Sequence, residues 1–157
     1  YKHVFDLDYT IIRPSALYGG RCVSRRVGQI FIENALMGND IDVIGDGSDK
    51  LDFTYIEDFM EGVIRVISSG AARNQIFNLT YGEARSLANL AEILQQQFPS
   101  INVKYHPKDD LTPDRGTLSI EKAKELLQYS PKYPLEIGYS KYIKWYKEYW
   151  NRTNSLG

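Results

Sequence analysis

The stretch that most constrains the fold is Ile41 to Asp58, IDVIGDGSDKLDFTYIED. Two runs rich in β-branched and aromatic residues flank a Gly45-Asp46-Gly47 turn, and the second run leads to Asp58. This pattern predicts strand, turn, strand and helix, with the strands joined as a hairpin at Asp46-Gly47 and Asp58 capping the helix. Along that helix Phe59, Val63, Ile64 and Ile67 form the predicted apolar side, opposite Glu61 and Arg65. Asp52 and Asp58 read as holders of a turn and a helix start rather than as catalytic carboxylates.

Short apolar runs alternate with helical patterns on both sides of this unit. Residues 1 to 8 read as a helix end and a turn. Tyr9 to Ile12 is a β-rich run closed by Arg13-Pro14, and its continuous apolar character suits a strand of a parallel sheet. The loop after Pro14 holds Gly19 and Gly20. Loops beyond the carboxyl ends of parallel strands form ligand crevices. Val27 to Leu36 is helical, with Gly38 just past its end. Gln75 to Leu79 is a second buried strand. Ser86 caps a helix striped by Leu87, Leu90, Ala91, Leu94 and Phe98. Asn102 to His106 is a weak strand, Lys108 to Gly116 a polar loop, and Ser119 caps a short helix. A final helix runs from about Leu135 to Trp150, and Asn151 to Gly157 reads as a frayed tail. The fold class is α/β.

Composition excludes several functions. At 157 residues, with 43% hydrophobic and 25% charged residues, the chain can bury a core. A net charge of −1 gives no global attraction to nucleic acid or to an anionic membrane. No apolar run approaches the ~20 residues of a spanning helix. One cysteine, Cys22, cannot form an internal disulfide and fits a reducing, cytoplasmic setting. His3 and His106 lie far apart in sequence, so no metal site is expected. The sequons at Asn78 and Asn151 read as chance matches. Starting at Tyr1 in mid-pattern, the chain reads as a fragment or a processed product.

Three clusters carry two readings each. Arg21, Arg25 and Arg26 precede the helix at Val27, as a solvated helix start or as an anion-binding group facing a diphosphate. Ile137, Tyr142, Ile143, Trp145, Tyr146, Tyr149 and Trp150 cover more than one stripe of the last helix. They suit a half-wet packing face, or a base-stacking platform. Lys141, Lys144 and Lys147 read as a solvated face.

Four blocks resemble, in order, the signatures of the extended short-chain dehydrogenase/reductase family of nucleotide-sugar epimerases and dehydratases. They are YTIIRPSALYG, GDGSDKLDFTYIEDF, QIFNLTYGEARSLANLAEIL and PDRGTLSIEKAKELLQYSPKYPLEIGYSKYIKWY. The resemblance implies the C-terminal portion of an NAD(P)-binding Rossmann-like fold, including its last parallel strands at about 9–14 and 75–80. A smaller α/β substrate-binding domain accompanies them, and residues 1–157 fall in this part. The cofactor-binding half, with its Gly-x-x-Gly-x-x-Gly loop and Tyr-x-x-x-Lys pair, is missing. Neither motif occurs here, so no catalytic residue is expected and the isolated chain is expected to be inactive.

The resemblance also implies roles for single residues. Pro14, Ser15, Ala16 and Leu17 match the segment beside NAD or NADP, and many family members have an asparagine at the position of Ala16. Tyr18, Arg25, Arg26, Val43, Ile44, Lys50 and Arg115 match or lie within substrate-binding segments, with Val43 and Ile44 along the nucleotide base. Leu51 stands where the family has a phosphate-gripping arginine; Lys50 beside it points the other way on a strand. The implied partner is a nucleoside-diphosphate sugar, with no nucleic acid or membrane, and the implied parent enzyme is a homodimer. A non-catalytic binding or regulatory relative, such as an RNA-binding one, is the alternative.

Overall fold

The computed structural model describes residues 2–22, 24–108, 113 and 115–154. After a short helix α1 (Lys2–Phe5) come β1 (Thr10–Arg13), β2 (Leu17–Tyr18), α2 (Val27–Leu36), β3 (Ile41–Ile44), β4 (Lys50–Leu51), β5 (Thr54–Tyr55) and α3 (Ile56–Ser68). Then follow β6 (Gln75–Asn78), β7 (Arg85–Ser86), α4 (Leu87–Gln97), β8 (Val103–His106), α5 (Glu121–Leu127) and α6 (Leu135–Asn154). Strands and helices alternate as the sequence predicts, and α2 has the predicted bounds. The predicted polar loop of residues 108 to 116 falls largely outside the described residues. Helix α6 continues through Asn154 where a frayed tail was expected, and the tail beyond it is outside the described residues.

Every strand pairs with a partner distant in the chain. β1 runs parallel to β6, β2 to β5 and β3 to β8, while β4 and β7 are antiparallel. The expected hairpin at Asp46-Gly47 is therefore corrected: the two strands flanking the turn do not pair with each other. The turn is pinned elsewhere. Gly45 and Gly47 both take left-handed φ, +85° and +83°, which glycine adopts without a Cβ clash. The Gly47 carbonyl accepts from Ala88 N at 3.0 Å, and Asp49 O from Leu87 N at 3.0 Å. A Cβ on Gly47 would press on Tyr105 and Ala88. The turn thus docks on the start of α4 and sends β4 to β7.

Two apolar cores result. The larger joins α2, α4 and α6 over β3 and β5 and is rich in aromatics: Tyr18, Phe31, Phe53, Tyr55, Tyr139, Tyr142 and Tyr146. The packing reading of α6 holds for Tyr142, Ile143 and Tyr146, which are buried, while Ile137 and Tyr149 are exposed; Tyr139, outside that reading, is buried as well. The smaller core lies between β6, α3 and α5, with Val66, Phe77, Leu79, Ala123, Leu127 and Tyr129. Phe59 and Val63 pack on it as expected, but Ile64 and Ile67 do not: they are 58% and 79% exposed.

The two predicted holders differ in detail. Asp52 is fully buried and accepts from Gly82 N at 3.0 Å and Leu118 N at 3.1 Å, tying together two loops. Asp58 does not cap α3, whose N-cap is Tyr55. It sits in the first turn, buried, and accepts from Lys132 N at 2.7 Å and Tyr133 N at 3.0 Å. Ser86 does cap α4, with Asn89 completing a reciprocal capping box, whereas Ser119 does not cap α5, whose N-cap is Ile120.

Candidate functional site

A cavity of about 790 Å³ opens between the loop after β1, the start of α2, β4 and the start of α4. Its lining includes the segment Pro14, Ser15, Ala16, Leu17 and Tyr18, and the arginines Arg25, Arg26 and Arg115. No carboxylate lines it among the described residues. A chain of net charge −1 therefore holds a locally cationic, apolar-walled cleft. That combination suits an anion carrying an apolar or aromatic body.

The wall is shaped by backbone. Ala16 has φ +37°, a region that strains an alanine and that asparagine or glycine enters more easily. Its carbonyl accepts from Thr54 N at 3.4 Å, beside the β2–β5 ladder. Tyr18 presents its ring to the cavity and to the larger core, while its hydroxyl lies against Gly138 at the start of α6, where a Cβ has no room. Burial pushes the Tyr18 phenol far above its usual range, so it stays neutral.

Two of the rim arginines are anchored through their Nε atoms. Arg25 Nε donates to Glu33 Oε2 at 2.7 Å, and Arg26 Nε to Ser24 Oγ at 3.1 Å. Glu33 also accepts from Gln29 at 2.8 Å and from the Tyr146 hydroxyl at 2.6 Å. Burial pushes the Glu33 carboxyl up, but the bonds from Tyr146, Gln29 and Arg25 outweigh it and hold the group below its usual range.

Eight of the expected residues thus converge on one cavity, and three do not. Val43 is buried in the larger core, and Ile44, on the other side of β3, is 53% exposed. Lys50 is exposed, whereas its neighbour Leu51 lines the cavity, as strand alternation requires. Sequence reasoning missed Cys22, Gly28, Phe53, Leu87, Leu90 and Tyr139, all at the cavity, and also Glu33. Leu87 and Leu90 lie on a stripe that reads as core, and their second role has no sequence signal. No cluster of potential metal ligands occurs among the described residues. No helix is long and apolar enough to cross a membrane.

The sequence model of the NAD dependent epimerase/dehydratase family matches residues 1–80, about half of the chain. The chain belongs to that family. This epimerase/dehydratase chain is 28% identical over 151 residues to UDP-glucuronic acid decarboxylase 2 of Arabidopsis thaliana, covering 94% of the chain and 34% of the relative. It is 27% identical to UDP-glucose 4-epimerase of Mycolicibacterium smegmatis, covering 94% and 48%. It superposes on the crystal structure of UDP-glucose 4-epimerase with UDP-glucose from Thermotoga maritima with a TM-score of 0.85, at 26% identity, covering 95% and 49%. The chain spans half or less of the length of these relatives. Its neighbours fix the α/β, Rossmann-like fold that the four sequence blocks imply.

Proposed function

We propose that this epimerase/dehydratase chain forms the nucleotide-sugar side of an NAD(P)-dependent enzyme that epimerises, dehydrates or decarboxylates a nucleoside-diphosphate sugar. The observation that carries the reading is the cleft itself, where the Pro14–Leu17 wall meets three arginines and, among the described residues, no carboxylate. An apolar wall suits a base or a sugar face, and guanidinium forks suit a diphosphate. UDP-sugar names among the relatives support the same class.

For the cofactor, this chain offers one wall, Pro14 to Leu17, and no glycine-rich loop. When bound, NAD would supply transient hydride transfer at a sugar carbon. Here the chain's residues bind and orient: the arginines engage the phosphates, and the Leu51, Phe53 and Leu90 side keeps water from the sugar. The acid/base group must come from the other half of the fold. Two features support such a half. β1 has one edge unpaired among the described residues, and Met60, Ile64 and Ile67 form an exposed apolar stripe on α3. Unpaired edges and apolar patches of this kind are normally covered.

The test is to express the native reading frame and assay UDP-, GDP-, CDP- and dTDP-sugars with NAD and NADP. Turnover of one of them is expected. Nucleotide-sugar binding without bound NAD(P) or turnover would favour a non-catalytic relative, for which Leu51 in the place of an arginine argues. Absence of both binding and turnover would overturn the reading.

A further inference from the structure

Glu33 does not line the cavity, yet it sets the geometry of one side of it. Its carboxylate lies on the second turn of α2 with a side chain only 14% exposed. One oxygen takes Tyr146 and Gln29; the other takes Arg25 Nε. Gln29 also donates to the Tyr146 hydroxyl at 3.2 Å, closing a ring of contacts between α2 and α6. A carboxylate with this many donors has one available orientation, and it imposes that orientation on the arginine.

The atom used matters. Holding Arg25 by Nε leaves its two terminal amino groups, with four N–H donors in a planar fork, for a ligand. Arg26 is held in the same way, by Nε to Ser24, with its own fork remaining. Both arginines line the cavity. Across the cleft Leu51 offers no charge. The cationic grip is thus moved from β4 to the start of α2.

Building on the nucleotide-sugar reading, we propose that Glu33 is a positioning residue that aims the Arg25 fork at the diphosphate of the ligand, with Tyr146 locking Glu33 from the last helix. Glu33 touches no ligand. Its effect is confined to the phosphates, and the base and ribose do not depend on it.

Calorimetric titration of the protein from its native reading frame, with UDP and with uridine as probes, separates this role from a structural one. Glu33→Gln keeps the shape and removes the charge that orients Arg25. It is expected to weaken UDP roughly tenfold, the scale of one charge-assisted hydrogen bond, and to leave uridine unchanged. Arg25→Ala, at a side chain that is 60% exposed, should do the same without disturbing the fold, and the double variant should be no weaker than Arg25→Ala alone. Tyr146→Phe should give a smaller loss of the same selectivity. Unchanged or tighter UDP binding by Glu33→Gln overturns the proposal, as do equal losses for UDP and uridine or additive effects in the double variant. If Glu33→Gln does not fold, Arg25→Ala and Tyr146→Phe decide the matter by the same criterion. Wild-type protein that binds neither probe would overturn the nucleotide-sugar reading itself, a result distinct from UDP binding that is insensitive to Glu33.

Discussion

The two cores of this chain are finished to different degrees. Around α2, α4 and α6 the apolar surface is enclosed, with Ile32, Leu94, Tyr139 and Ile143 fully buried. Rings of Tyr18, Tyr55, Tyr139 and Tyr142 pack at centroid distances of 5.6 to 6.3 Å. Around β1, β6 and α3 the surface is open. The parallel ladder has two strands, and Ile11, Met60, Ile64 and Ile67 face out. Parallel sheets are ordinarily covered on both faces. The difference teaches that one chain can hold a closed helical core beside a sheet with an uncovered face. The arginine-rimmed cleft is built mainly on the enclosed side, where Ala16, Leu51, Phe53 and Leu90 join the larger core.

Substitutions should separate the two regions. Ile143→Ala in the enclosed core is expected to cost about 3 kcal/mol in urea denaturation. Ile67→Ser on the open side should change stability of the 157-residue chain by less than about 0.5 kcal/mol. A cost for Ile67→Ser comparable to that of Ile143→Ala would erase the distinction.

Asp58 stitches the regions together, from α3 to the segment before α6. Asp58→Ala strands two partly buried N–H groups, of Lys132 and Tyr133, and should cost about 2 kcal/mol by the same measurement. A neutral result would mean that water replaces the carboxylate.

The enclosed side should also show its own acid limb. The Glu33 carboxyl is held below its usual range in the folded chain, so it contributes stability that is present above the unfolded value of ~4.3. That contribution is lost as pH falls through the lower folded value. Glu33→Gln should flatten this limb between about pH 5 and 3, measured as the urea midpoint against pH. A small gain is expected at the cleft wall. Ala16→Gly relieves a left-handed alanine, and should raise stability by about 0.5 kcal/mol.

Much of this was legible in the sequence, for identifiable reasons. Local signals survived folding in the helices: the bounds of α2 follow from its apolar spacing, and the Ser86 cap from a serine ahead of an apolar stripe; the continuous apolar run of β1 predicts a buried strand, yet Tyr9 and Ile11 are exposed. The hairpin was not legible, because Gly45-Asp46-Gly47 has the chemistry of a tight turn and only Ala88 and Leu87, some forty residues on, decide where it docks. Ile64 and Ile67 fit a helix period that says nothing about whether a partner surface is present. At the cleft, the residues near the β1 loop and Arg115 followed from family blocks. Glu33 did not, since its role depends on Tyr146 from a helix 113 residues away. Ala16 is instructive in both directions. The resemblance implies asparagine there, and the backbone shows a conformation that asparagine tolerates better than alanine.

The measurement that bears most directly on the open and enclosed regions is amide hydrogen exchange on the 157-residue chain, compared with the same residues in the protein from its native reading frame. Strong protection of α4, α6 and β3 is predicted in both. Protection of β1 and of the Met60–Ile67 stretch of α3 should be weak in the isolated chain and should rise in the longer protein. Equal protection of β1 and α6 in the isolated chain, unchanged in the longer protein, would contradict the account.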